Sequence, residues 1–250
     1  MDDLRPLATF QVGGDPDWMA VAPDSVWVTS EKANRVIRLD ARTNTVGGFV
    51  EVSGPCSGLA VGFGSLWVPS CTGHSLVRID LKSMKVVATI PAGPADSEGG
   101  IATGAGSVWM VTAPEGKLAR IDPSTNKVSA KIKIPPGSYA VAFEHGSAWI
   151  TSTAGNLLTR VDAATNAVVS TTEVGKAPRF LTVGAGSVWT LNQGDGSISR
   201  VDAASGKLVA TIQAGLSGHG GEIAYGEGSL WVTLSGFPIT KIDPATNQVT

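Results

Sequence analysis

An all-β fold built from six copies of one four-stranded unit is what the sequence predicts, and three observations carry the prediction. Tryptophan recurs at Trp27, Trp67, Trp109, Trp149, Trp189 and Trp231, at intervals of 40, 42, 40, 40 and 42 residues. A second register keeps step with it: "RLDARTN", "RIDLKSM", "RIDPSTN", "RVDAATN", "RVDAASG" and "KIDPATN" place Asp40, Asp80, Asp122, Asp162, Asp202 and Asp243 about one period apart. Each copy divides into four short apolar runs separated by turn residues, and such a period with four strands per copy is that of a propeller blade. The expected architecture is a six-bladed β-propeller of four-stranded antiparallel blades, one domain over residues 1–250.

The elements of a blade follow in order. In the second copy "GLAVGFG" reads as strand A, "SLWVPSC" as B, "SLVRIDL" as C and "KVVATIPAG" as D. The A to B turn carries Gly64, Gly106, Gly146, Gly186 or Gly228, with Asp24 in the first copy, residues that tolerate the positive φ of a tight hairpin. The C to D turn runs from the Asp to a Ser or Thr and then to Asn44, Asn126, Asn166, Gly206 or Asn247, a side-chain-braced turn ending in a left-handed residue. Met84 departs from that rule. The last copy stops at "NQVT", while "RPLATFQVGG" near the start matches "KVVATIPAGP", so residues 5–13 are expected to supply strand D of the last blade and close the ring.

Composition agrees. Of 250 residues 42% are hydrophobic and only 16% charged, with 31 Gly and 14 Pro, a balance that favours short strands and tight turns over surface helices. Net charge is -2 and no basic cluster occurs, so the electrostatic footprint of a nucleic-acid partner is missing. No apolar run approaches the ~20 residues of a membrane-spanning helix, and the chain is expected to act as a monomer.

Six internal copies separate fold from function. What all six share serves the fold, including the Trp, the Asp and the Ser after each hairpin Gly; what differs marks a site. The A to B and C to D turns are short and nearly invariant, whereas the D to A connections at the opposite face vary, and that channel mouth is the expected site. There the copies contribute "DPDW", "PCSG", "SEGG", "GSYA", "APRF" and "HGGE". No fold rule demands Asp17, Trp18, Glu98, Tyr139, Arg179, Phe180, His219 and Glu222 at these places. The third and sixth copies bring a Glu beside paired Gly, and Glu98 and Glu222 are expected to converge across the channel. GxSxG, HExxH, Walker and dinucleotide signatures are all missing from the sequence.

The "GxGSxWV" and "RIDPxTNxV" copies resemble the streptogramin lyase (virginiamycin B lyase-like) and YVTN-type propeller repeats over essentially the whole chain. That resemblance implies a carbon–oxygen lyase in which a divalent metal such as magnesium, with His and Glu at the mouth, supports proton abstraction beside a carbonyl and opening of a cyclic depsipeptide. Carried over, His219 is the base, and Glu222 or Glu98 the metal ligand or acid. The sequence departs from the family in lacking its second mouth His and in having six blades where the family has seven. "DAASGKLV" is also similar to quinoprotein repeats but lacks their Trp after the turn, so no quinone cofactor is expected.

Two further readings stand beside the lyase. In a binding module, Trp18, Tyr139 and Phe180 are apolar walls while Asp17, Arg179 and the Glu pair hold a small-molecule or peptide ligand. In a scaffold, Arg179 pairs with a nearby Glu and the aromatics plug the channel. His74 sits in a B to C loop, on the face of the mouth, whereas His145 belongs to a turn at the other face.

Cys56 and Cys71 are the only cysteines. If residue 62 faces 65 across the second blade's hairpin, residue 56 faces 71, and a disulfide is expected. Such a bond favours an extracytoplasmic compartment with any signal removed, the cytoplasm being the alternative.

Overall fold

The computed structural model describes residues 8–216 and 218–250. It is a six-bladed β-propeller of four-stranded antiparallel blades, with no helix among the described residues. Contacts divide the chain into two compact units, one ending at Ser97 and the other running from Glu98 to Thr250.

The first unit holds two blades. One is β1 (Pro16–Ala22), β2 (Ser25–Ser30), β3 (Arg35–Asp40) and β4 (Thr45–Glu51); the next is β5 (Ala60–Gly62), β6 (Ser65–Ser70), β7 (Ser75–Asp80) and β8 (Lys85–Ile90). The end of β4 and the residues after it pack on the second blade: Val50 and Val52 join Leu59, Leu66, Val68, Val77 and Ile79 in one buried cluster. Phe10 and Val12 lie in the same way against Val28, Ile37 and Leu39 of the first blade.

Four blades make the second unit. They are β9 (Ile101–Gly104), β10 (Ser107–Ala113), β11 (Lys117–Asp122) and β12 (Lys127–Lys133); β13 (Ser138–Glu144), β14 (Ser147–Ser152), β15 (Leu157–Asp162) and β16 (Ala167–Glu173); β17 (Pro178–Gly184), β18 (Ser187–Asn192), β19 (Ser197–Asp202) and β20 (Leu208–Gln213); and β21 (Glu222–Gly226), β22 (Ser229–Thr233), β23 (Thr240–Asp243) and β24 (Gln248–Val249). The first strands of these blades pack on one another in sequence, β9 on β13, β13 on β17 and β17 on β21.

The repeated residues do fold work. The indole N–H of Trp67, Trp109, Trp149, Trp189 and Trp231 donates to the carbonyl five residues earlier, at 3.0–3.3 Å. In the second unit the Trp also meets the following blade, Trp109 stacking on Phe143 with ring centroids 6.1 Å apart. Above each ring sits the cation of the Arg-x-Asp signature, 4.9 Å from Trp109, 5.3 Å from Trp149 and 4.8 Å from Trp189. That arginine donates Nε to the repeated Ser, as Arg120 does to Ser107 at 2.8 Å. Its Nη1 then reaches the next blade's C to D turn: Arg120 to Ala163 O at 2.6 Å, Arg160 to Ala204 O at 2.8 Å and Arg200 to Pro244 O at 2.8 Å. One side chain thus ties a tryptophan, a hairpin and the neighbouring blade.

Both turn types match expectation in most copies. Five A to B turns put two consecutive residues at positive φ, as in Ala185 (49°) and Gly186 (69°), the mirror-image turn that suits strand twist. The first copy does not: its turn is Pro23–Asp24, where proline's ring fixes φ of Pro23 negative, and Asp24 is not left-handed either. Trp27 is correspondingly the one repeat Trp without a partner for its indole N–H among the described residues. All six C to D turns end left-handed, Met84 included at 56°. Between strands C and D an extra residue bulges in five blades, Gly47, Val87, Ser129, Val169 and Val209, twisting the outer strand away from its partner.

The expectation that residues 5–13 complete the last blade falls partly on residues 5–7, outside the described ones. Residues 8–13 form no strand, and the fourth position of the last blade is filled by β24. After its own C to D turn the chain pairs with the strand it has just left, Ile242 facing Val249 and Asp243 facing Gln248.

Cys56 and Cys71 are disulfide-bonded, with Cα atoms 5.9 Å apart. Their register differs from the simple count. Ala60 faces Trp67, but Pro55 faces Ser70, with Cys56 N donating to Pro69 O and Cys71 N to Gly54 O. The ladder slips by two residues between these pairs, where Ser57 takes φ 67°, so the disulfide crosses the ladder diagonally.

Candidate functional site

Antiparallel pairing puts the D to A and B to C loops of each blade at one end. In the second unit these loops surround a cleft of about 350 Å³ lined by Tyr139, Thr153, Ala177, Arg179, Gln193, Gly194, Gly218 and His219.

Arg179, the second residue of β17, is its electrostatic centre. Its Nη2 forms an ion pair with Glu98 Oε2 and donates to Tyr139 Oη at 2.8 Å, while Nε donates to the same hydroxyl at 3.0 Å. The guanidinium carbon stands 5.1 Å from the Tyr139 ring centroid and 5.3 Å from that of Phe180, and the two rings meet edge to face at 5.9 Å. Tyr139 is 9% exposed and Phe180 only 3%, so Tyr139 shows an edge to the cleft and Phe180 supports it from behind. The Tyr139 hydroxyl also reaches Glu98 Oε2 at 3.5 Å.

Glu222 opens β21. Its N–H donates to Thr233 Oγ1 at 3.1 Å, and its Oε1 accepts from Ile223 N–H at 2.9 Å. Burial pushes its carboxyl up to about 8, against the pull of the Ile223 N–H and the Arg179 charge. The carboxyl is enclosed by protein although the residue as a whole keeps some solvent contact. The glycines beside both Glu residues are there for close approach. A Cβ on Gly221 would lie 1.9 Å from Thr233 O, and one on Gly100 would lie 2.8 Å from Val141 N.

His219 sits on the loop before β21, held from two sides. Ser235 N donates to His219 O at 3.3 Å, while the side chain of Gln193, 8% exposed, donates Nε2 to Gly220 O at 2.7 Å and its backbone carbonyl accepts from Gly218 N at 3.3 Å. The adjacent Asn192 is held by buried neighbours, donating to Ser197 and Ser199 at 2.9 Å and accepting from Thr190 at 2.8 Å.

The structure therefore gathers Tyr139, Arg179 and His219 around one cleft, with Glu98 bound to Arg179, Phe180 behind it and Glu222 within reach of its charge. Of the two Glu residues expected to converge, Glu98 contacts Arg179, while Glu222 feels its charge and bonds to Thr233 and Ile223. Asp17 and Trp18 belong to the first unit, where Asp17 is exposed and Trp18 packs against the cluster that includes Trp27 and Leu66. His74 is an exposed left-handed residue of that unit, and His145 occupies an A to B turn as expected. Thr153, Gln193 and Gly194 were not singled out in the sequence. Gln193 and Gly194 belong to the B to C loop of the fifth copy, "LNQGDGS", which differs from its counterparts as the D to A segments do, and Thr153 to that of the fourth.

The residues do not fit a protein-held metal. Among the described residues no group of three or more His, Cys, Asp or Glu could hold an ion. Glu98 is already paired with a guanidinium, and Glu222 is held protonated near neutral pH.

No family model and no curated protein matches the chain. Solved structures do. A streptogramin B lyase matches with a TM-score of 0.78 and 19% identity, covering 94% of this chain and 81% of that one. A catalytically inactive histidine-to-alanine variant of virginiamycin B lyase from Staphylococcus aureus, with quinupristin, matches with a TM-score of 0.78 and 18% identity over 94% of this chain and 83% of that one. BamB from Moraxella catarrhalis matches with a TM-score of 0.69 and 15% identity over 96% and 74%. At these identities the likeness is one of fold.

Proposed function

We propose that the cleft of the second unit binds a small organic or peptide ligand through a carbonyl group and eliminates across the carbon–oxygen bond beside it. What carries this reading is the burial of the Glu222 carboxyl, which raises its pKa to about 8, three residues along the chain from His219, which lines the cleft with Arg179. A raised carboxyl and an imidazole at one site are the acid and base that such an elimination needs. His219 takes the proton from the carbon next to the carbonyl, and the electron pair becomes a carbon–carbon double bond as the carbon–oxygen bond breaks. Glu222 gives its proton to the departing oxygen. The likeness to a virginiamycin B lyase solved with quinupristin supports this substrate class. The disulfide supports an extracytoplasmic setting, and no helix of the described residues is long and apolar enough to cross a membrane.

Quinupristin is the first probe. Ring opening by elimination gives a linear isomer of unchanged mass, separable by chromatography and absorbing as an unsaturated amide. Turnover by the wild type, lost in His219→Ala and Glu222→Gln with folding intact, is expected. Saturable binding without product would favour the second reading, a binding module. The packing of Tyr139, Phe180 and Arg179 into one rigid wall supports that alternative.

A further inference from the structure

We infer that the Arg179 guanidinium is the built-in cation of this mouth, doing for its carboxylates what a divalent metal would otherwise do. The inference rests on the cleft being the ligand site, but the structural argument is separate. Glu98, one of the two carboxylates expected to hold an ion at the mouth, forms an ion pair with Arg179 Nη2. The guanidinium is locked by two donations to the Tyr139 hydroxyl, at 3.0 and 2.8 Å, and by the Tyr139 and Phe180 rings at 5.1 and 5.3 Å. Its charge extends to Glu222 as well. A divalent ion brought to these carboxylates would meet a fixed positive charge at close range and would have to displace it, and like charges at such distances repel strongly in a partly desolvated site.

Two consequences follow from the chemistry of the group. A guanidinium is always charged and offers planar, forked donors, so it selects a ligand oxygen of carbonyl or carboxylate type by direction, whereas a metal ion selects by coordination. Its charge is also neutralised within the protein by Glu98, so the mouth needs no bound ion to be electrostatically complete. In the elimination proposed above, the charge that builds on the carbonyl oxygen would be met by Arg179 and the Tyr139 hydroxyl.

The test uses metal ions alone. Thermal unfolding of the wild type, titrated with Mg²⁺, Mn²⁺, Ca²⁺ and Zn²⁺ against a chelator, is expected to show no saturable shift that depends on Glu98. Arg179→Gln exposes the same carboxylates without their cation. It is expected to gain a saturable rise of several degrees with at least one of the four ions, lost again when Glu98→Gln is added. Should Arg179→Gln not fold, Mn²⁺ broadening of the His219 imidazole resonances in the wild type gives the answer. Unbroadened signals support the inference, and saturable broadening overturns it. It is equally overturned if the wild type is stabilised by an ion in a Glu98-dependent way, or if folded Arg179→Gln binds none of the four. Turnover of quinupristin enters none of these outcomes, so the inference and the proposed function can fail separately.

Discussion

Arginines and carboxylates occur at both ends of the second unit, and they are used in opposite ways. At the turn end Arg120, Arg160 and Arg200 lie over tryptophans and donate to carbonyls of the next blade. The turn aspartates there are held below the ordinary carboxylate range by hydroxyl and N–H donors, Asp162 chiefly by the Thr165 hydroxyl and Asp202 by that of Ser205. At the mouth Arg179 lies over Tyr139 and Phe180 and binds a carboxylate, while burial raises Glu222. The turn end meets its arginines and aspartates with partners that recur from blade to blade. The mouth keeps an acid protonated that water would ionise, an arrangement that does nothing for stability at neutral pH.

The largest expected effect breaks the turn end. Trp149→Ala removes a fully buried ring, its hydrogen bond to Glu144 O and its seat under Arg160, and should cost about 3–5 kcal/mol in chemical denaturation. Arg179→Gln, which removes an arginine in a comparable aromatic seat, should cost far less. Equal losses would erase the distinction between the two ends. In the first unit, Cys56→Ser with Cys71→Ser opens a link of 15 residues in sequence and should cost about 3 kcal/mol.

Next comes pH. A carboxyl whose folded value is raised binds its proton more tightly when folded, so its contribution to stability is lost as pH rises from about 4.5 through about 8. The depressed turn aspartates act in the other direction and lose their contribution in acid, as pH falls below their ordinary value of 3.8. Glu222→Gln keeps an acceptor for Ile223 N–H and removes the ionisation. Its unfolding midpoint should match the wild type below pH ~5 and exceed it in alkali, by on the order of a few kcal/mol.

Much of this was legible in the sequence because repetition supplies its own comparison. The Trp and Asp registers located every blade, and the D to A segments led to Tyr139, Arg179 and His219. Other features were hidden for physical reasons. Gln193 went unmarked because its hydrogen bonds to Gly218 and Gly220 join residues of two blades. Arg179 was marked, but its choice of Glu98 over Glu222 depends on side-chain paths that spacing does not encode. The two-residue slip beside Cys56 depends on a left-handed Ser57, which no residue type announces.

Smaller effects sharpen the comparison. Gln193→Ala should lower stability by about 1 kcal/mol yet shift the His219 imidazole resonances more than any turn-end variant of equal cost. Gln193→Asn should recover only part of that shift. Met84→Asn, placing a residue that accepts positive φ at the one exceptional C to D turn, should change stability by no more than about 1 kcal/mol, lost contact with the buried cluster offsetting relief of strain.

The most direct measurement is the titration of Glu222 by carboxyl carbon-13 NMR, with Glu222→Gln assigning the signal. Ionisation at about 8, rising further in Arg179→Gln as the favourable charge is withdrawn, is the predicted result. Ionisation near the ordinary 4.5 would contradict the account, leaving the mouth with carboxylates no different in kind from those of the turns.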